Sequence, residues 1–64
     1  MSMSLKALRV NANLKQYEVA DAMDITINTL KNYENFKTIP NVETAIRFAE
    51  YYNTTVDDIR WIEE

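Results

Sequence analysis

The stretch LKQYEVADAMDITINTLKNYEN, residues 14–35, decides the fold. Its apolar residues recur at helical spacing, with no sustained alternation of the strand type. One helix fits Gln16–Met23, with Val19, Ala20 and Met23 facing inward. A second starts after Thr26, a good N-cap, and runs to about Glu34 with Leu30 and Tyr33 inward. Only Asp24, Ile25 and Thr26 lie between them, the short connection that joins the two helices of a helix-turn-helix. Ala20 is small where the two helices must cross closely. Val19, Met23, Ile25, Leu30 and Tyr33 are the wedge expected to fix their angle.

Working outward, the flanks are helical too. Ser4 is placed to cap a first helix whose inward stripe is Leu5, Leu8 and Ala12. Lys15 stands at the start of the second helix, where Ser, Thr or Asp would cap better, but Glu18 in its first turn suits the helix dipole. Pro40 breaks the chain. Asn41 then caps a fourth helix over residues 42–52, expected to bury Ala45, Ile46, Ala49 and Tyr52. Thr55 caps a fifth, with Asp58 at capping-box spacing. The expectation is a single all-α domain of five helices over residues 1–64. The chain has no glycine. Helix ends that need positive φ must use the residues that tolerate it next best, and Asn13, Asp24, Asn35 and Asn53 stand at four such ends. At the third, Asn35 is read as the left-handed residue and Phe36 as the apolar residue after it.

With 64 residues, 47% of them hydrophobic, the chain suffices for one small core. No cysteine and no histidine are present, which excludes disulfides, thiolate or imidazole metal sites and histidine acid–base chemistry. No metal or other cofactor is expected. No apolar run is long enough to span a membrane, and the N-terminus lacks a signal-peptide core, so a soluble cytoplasmic protein is expected. Net charge is −3. Residues 1–40 carry Lys6, Arg9, Lys15, Lys31 and Lys37 against Glu18, Asp21, Asp24 and Glu34, a net of +1. Residues 41–64 carry Arg47 and Arg60 against Glu43, Glu50, Asp57, Asp58, Glu63 and Glu64, a net of −4. The acidity therefore belongs to the C-terminal part.

The third helix offers an outward face of Ile27, Asn28, Lys31 and Asn32. Asn can bond adenine N6 and N7, Lys can donate to guanine O6 and N7, and Ile can cover a thymine methyl. An ordinary solvated face would read the same way, with Ile27 an isolated exposed aliphatic.

Leu14, Gln16, Val19, Ala20, Asp24, Thr26, Leu30 and Glu34 together resemble the pattern of the Cro and lambda-type repressor family, also called the XRE family. LKALR near the start and VETAIRFAEYYNTTVDDI after Pro40 extend the likeness over nearly the whole chain. The resemblance implies a five-helix lambda-repressor-like fold and a sequence-specific transcriptional regulator, a repressor of phage or prophage type. It would bind a palindromic double-stranded DNA operator as a homodimer, with helix 27–34 in the major groove. It implies base contacts at Ile27, Asn28 and Asn32; Lys31, on the same face, is a further candidate from its chemistry alone. Phosphate contacts fall to Lys15, Gln16, Tyr17, Thr26, Asn35 and Lys37. Gln16 is alternatively a generic helix-start residue, and Tyr17 a half-buried surface aromatic. The resemblance also implies an internal ion pair between Arg9 and Glu34. Phe36 stands where the family carries glycine. Trp61 and Ile62 are candidate dimer contacts, or else they close the core.

A second reading keeps the fold and changes the partner. An acidic helix-turn-helix could bind a basic protein, such as the DNA-reading face of another regulator, and act as an antirepressor. An enzyme is not expected: no nucleophile–base pair, metal cluster or phosphate-cradling glycine loop is present.

Overall fold

In a computed structural model, residues 2–63 are described. They form four α-helices: α1 (Leu5–Asn11), α2 (Gln16–Met23), α3 (Ile27–Glu34) and α4 (Val42–Tyr51). A single 3₁₀ turn, Val56–Asp58, follows. The outermost residues pair as two short parallel strands, β1 (Met3–Ser4) and β2 (Ile59–Arg60), with Met3 opposite Ile59 and Ser4 opposite Arg60. Two expectations are corrected here. The fifth helix is one 3₁₀ turn, because the chain beyond Asp58 is drawn into strand pairing with β1. The domain is accordingly not purely helical. Thr55 makes no backbone cap; its hydroxyl donates to the Asp58 carboxylate at 3.0 Å.

The N-caps follow the sequence. Ser4 Oγ accepts from Ala7 N–H, Thr26 Oγ1 from Thr29 N–H and Asn41 Oδ1 from Thr44 N–H, each at 2.9–3.0 Å. Lys15 has no side-chain acceptor to offer α2. Glu18 instead reaches back and accepts the Lys15 backbone N–H at 2.8 Å, half of a capping box.

All four helices end alike. Asn13, Asp24, Phe36 and Asn53 have φ between 55° and 62°. At each, the positive-φ residue donates three residues back and its successor five residues back, the bonding of a Schellman motif. Asn13 N–H reaches Val10 and Leu14 reaches Arg9; Phe36 reaches Tyr33 and Lys37 reaches Asn32. Three of these four sites were legible as Asn or Asp. The fourth is a correction: Asn35 keeps φ −93°, and the left-handed position falls one residue later on Phe36. An aromatic residue there costs about 1–2 kcal/mol relative to glycine. The Phe36 ring is partly compensated by the Arg60 guanidinium, which lies 5.6 Å from its centroid.

The core gathers Leu5, Val19, Ala20, Met23, Leu30, Phe48, Ala49 and Ile59. Phe48 is fully buried at its centre. Tyr33 meets it edge-on at 5.9 Å, Tyr52 stacks at 6.5 Å and Trp61 tilts against it at 6.4 Å. Phe48 was missed from the sequence, where Ile46 stood in its place; Ile46 is exposed. The helical phase of α4 is set by Ala45, Phe48 and Ala49 facing inward, which turns Ile46 out. Ala12, expected inward, is exposed beyond the end of α1, and Tyr52 is half-buried as the residue closing α4. Trp61 closes the core, its indole N–H donating to the Val56 carbonyl at 3.0 Å. No helix among the described residues is long and apolar enough to cross a membrane.

The glycine-free turns make a direct test. Asn13→Val puts a β-branched side chain at φ 59° and should cost about 1–2 kcal/mol. That is about 4–8 °C of melting temperature per kcal/mol in a domain of this size. Asn13→Gly should hold or raise it. Equal melting of the Val variant and the parent chain would show that the turn does not depend on the left-handed residue.

Candidate nucleic-acid interface

The outward face of α3 depends on what clamps its inward face. Glu34, in the last turn of α3, is buried, with its side chain only 2% exposed. Arg9 of α1 meets it with two bonds, Nε to Oε2 at 2.7 Å and Nη2 to Oε1 at 3.2 Å. Arg9 Nη1 also donates to the Leu14 carbonyl at 3.0 Å. Gln16 Nε2, at the start of α2, donates to Glu34 Oε1 at 3.1 Å. One carboxylate thus joins α1, α2 and α3, and the arginine adds the loop between α1 and α2. The hydrogen bond to Glu34 raises the Arg9 pKa above its ordinary value, outweighing the opposing effect of burial. The guanidinium is therefore charged at every working pH.

Ile27, Asn28 and Lys31 are exposed on the opposite side of α3, and Asn32 is half-buried beside them. Asn35 and Lys37 are exposed just past its end. Their backbone groups are committed internally: Asn35 N–H donates to Lys31 at 2.9 Å and Lys37 N–H to Asn32 at 2.9 Å. The side-chain amide of Asn35 and the ammonium of Lys37 are therefore what this end exposes, and not a nest of backbone amides. Thr26 uses its hydroxyl at the start of α3, accepting from Thr29 N–H and donating to Thr29 Oγ1 at 2.9 Å. At the start of α2, Lys15 and Tyr17 are exposed and Gln16 is half-buried against Glu34. The first N–H groups of a helix have no intrahelical acceptor, so the amides of Gln16 and Tyr17 lie at the positive dipole end of α2 without a partner in the helix.

The ten sequence-derived DNA contacts therefore divide. Ile27, Asn28, Lys31 and Asn32 occupy the surface of one helix. Lys15, Gln16 and Tyr17 gather at the head of α2, Thr26 heads α3, and Asn35 and Lys37 follow its tail. Of the two proposed dimer contacts, Trp61 is part of the core, whereas Ile62 is 57% exposed.

A family model described as helix-turn-helix matches residues 5–59. The chain belongs to this family. It is a helix-turn-helix protein of the XRE type, a family of DNA-binding regulators. Neither a curated protein nor a solved structure matches the chain. Within this helix-turn-helix protein, three supporting contacts escaped the sequence. Gln16 belongs to the carboxylate clamp. Arg47 Nη2 donates to the Met23 carbonyl at 3.1 Å, closing the C-terminal end of α2 where a cation is favoured. Arg60 covers Phe36. None carries a local signal, since each joins residues more than fifteen positions apart.

Two measurements probe the clamp. Arg9→Met leaves a buried carboxylate unpaired and should cost about 3–5 kcal/mol by denaturant unfolding. Arg9→Met combined with Glu34→Leu should be more stable than Arg9→Met alone. If the double variant is the less stable of the two, the carboxylate is not the source of the cost.

Burial raises the Tyr52 phenol well above its usual value of 10.0, with the nearby Glu34 charge adding to it, and its hydroxyl has no hydrogen-bond partner. A group raised in the folded state stabilises fully below its unfolded pKa, and that stability is lost as pH rises through the folded value. Stability should therefore fall above pH 10, and Tyr52→Phe should flatten the fall. An unaltered alkaline profile in Tyr52→Phe would remove Tyr52 as its origin.

Proposed function

We propose that this protein is a sequence-specific transcriptional regulator of the Cro or repressor kind, acting by occupying an operator. The observation that carries the proposal is the clamped helix α3, held from behind by Arg9–Glu34–Gln16 with a polar face left outward. α3 enters the major groove with its N-terminal residues foremost. Asn28, Lys31 and Asn32 read base edges, and Ile27 covers a thymine methyl. Lys15, Tyr17 and the amides at the head of α2 meet phosphates on one side, with Thr26 heading α3 between the two groups. Asn35 and Lys37 meet phosphates on the other side. Gln16 serves mainly by holding Glu34, and any phosphate contact it makes uses its backbone amide or its remaining side-chain N–H. The protein acts as a homodimer on a palindrome, since one α3 reads only a few base pairs. A phage or prophage repressor is the form of this reading that the family resemblance suggests.

The overall charge of −3 favours a second reading, an antirepressor that binds a basic protein surface. A salt titration of duplex affinity separates the two, using DNA recovered by selection from a random pool. With Lys15, Lys31 and Lys37 on phosphates or bases, log K should fall with log salt at a slope of about −0.9 per neutralised phosphate. Asn28→Ala should cost about 1–3 kcal/mol and relax specificity at one position. Lys37→Ala should weaken binding to all sequences alike and reduce the slope by about 1. Absence of duplex binding at low salt, with a basic protein still bound, would replace the first reading with the second.

A further inference from the structure

We infer that Arg60, from the C-terminal strand, is a contact to a DNA backbone phosphate at the tail of α3, steadied there by the Phe36 ring. The inference rests on the operator reading and adds a residue to it. Arg60 lies beyond residue 59, the last that the family model matches. Its place is set by the pairing of β2 with β1, where Ser4 stands opposite Arg60. From there its guanidinium lies over the Phe36 ring, 5.6 Å from the centroid. Phe36 is flanked in sequence by Asn35 and Lys37, both exposed. Two cations and an amide, from two distant segments, thus come to one helix end.

Arg60 is not spent on the fold. Its Nε is buried without a hydrogen-bond partner, and no carboxylate among the described residues pairs with it. Asp57, Asp58 and Glu63 are close in sequence but exposed, and Asp58 takes the Thr55 hydroxyl instead. Glu34, in the last turn of α3, is neutralised by Arg9. Arg47, the other arginine of the acidic C-terminal part, donates to the Met23 carbonyl. Among the described residues, Arg60 is therefore the cation of that part left without an acceptor.

Phe36 accounts for the placement. A phenylalanine at φ 62° is a conformational outlier, and such outliers persist where they serve a site. Glycine would make the turn without strain but would offer no ring. A guanidinium resting on an aromatic face bonds at its edges, in its own plane. Its fork then matches two oxygens of a phosphodiester. The ring also restricts Arg60 beforehand, so less side-chain freedom is lost when the anion arrives. With α3 in the major groove, the residues past its tail border the DNA backbone, and the anion there is a phosphate.

The test is duplex affinity of the full chain over a series of salt concentrations, using DNA recovered by selection from a random pool. Arg60→Gln should make the slope of log K against log salt shallower by about 0.9 and weaken binding roughly eightfold at about 0.1 M salt, alike for all sequences. Arg60→Lys keeps the charge without the planar fork, so it should keep the slope and recover part of the affinity. Phe36→Gly suits the left-handed backbone and should melt no lower than the parent chain, yet bind duplex about threefold more weakly. In the Arg60→Gln background, Phe36→Gly should cost no further affinity, because the ring acts through Arg60. A parent chain that binds duplex while Arg60→Gln keeps both slope and affinity overturns the inference and leaves the operator reading standing. So does an Arg60→Lys chain that loses the slope, a Phe36→Gly chain that binds as tightly as the parent, or a Phe36→Gly cost undiminished by Arg60→Gln. A parent chain that binds no duplex at low salt removes the operator reading itself, and the inference with it.

Discussion

The structure depends on one buried carboxylate. Glu34 is the sole charged residue in the interior among the described residues, and three donors from two other segments converge on it. Burying a charge without partners would cost several kcal/mol; burying it with a bidentate guanidinium and an amide turns that cost into directional information. Apolar contacts alone allow short helices to slide and rotate against each other. The fork of Arg9 fits Glu34 in one geometry, which fixes the roll of α3 about its own axis. Roll determines which side chains face outward, so a buried interaction sets the composition of an exposed surface.

Much of the fold is legible in local chemistry. Ser4, Thr26 and Asn41 cap because each carries an oxygen at the right place, and Asn13, Asp24 and Asn53 turn because their side chains tolerate positive φ. The illegible parts are those decided by distant partners. Ile46 and Phe48 differ by about half a helical turn in α4, and two alanines nearby leave the phase of the stripe ambiguous from spacing alone. The residues after Val56 satisfy the local rules for a helix start. The strand pairing with Met3–Ser4 overrides them, because it both engages the backbone and seats Ile59 and Trp61 on the core. Phe36 illustrates the same limit: no propensity places a phenylalanine in the left-handed region, and the Arg60 guanidinium that lies over its ring comes from across the fold.

The candidate site was legible to a different degree at each end. The face of α3 follows from knowing which of its residues are buried: helical spacing points to Leu30 and Tyr33, and the family resemblance to Glu34. The ends of the helices were harder, since the same polar groups can bind an outside ligand or bond locally. Thr26 is engaged by Thr29, Gln16 by Glu34, and the amides after α3 by the helix itself. The interface proposed above would rely on the outward face of α3, on side chains at its tail and on amides at the head of α2. It has few positive charges, so shape and hydrogen bonding must contribute a larger part of any recognition than long-range attraction does.

The two-residue ribbon joining β1 to β2 governs how the molecule comes apart. Most other packing joins segments close in sequence, and such packing alone would let a small helical chain fray from either end. The ribbon is the contact of greatest separation along the chain, and the entropy of closing it is recovered only when Leu5, Ile59 and Trp61 are all seated. Opening it releases both ends together and uncovers the core from two sides. The expected consequence is a domain that opens as one cooperative unit, with both of its ends protected together.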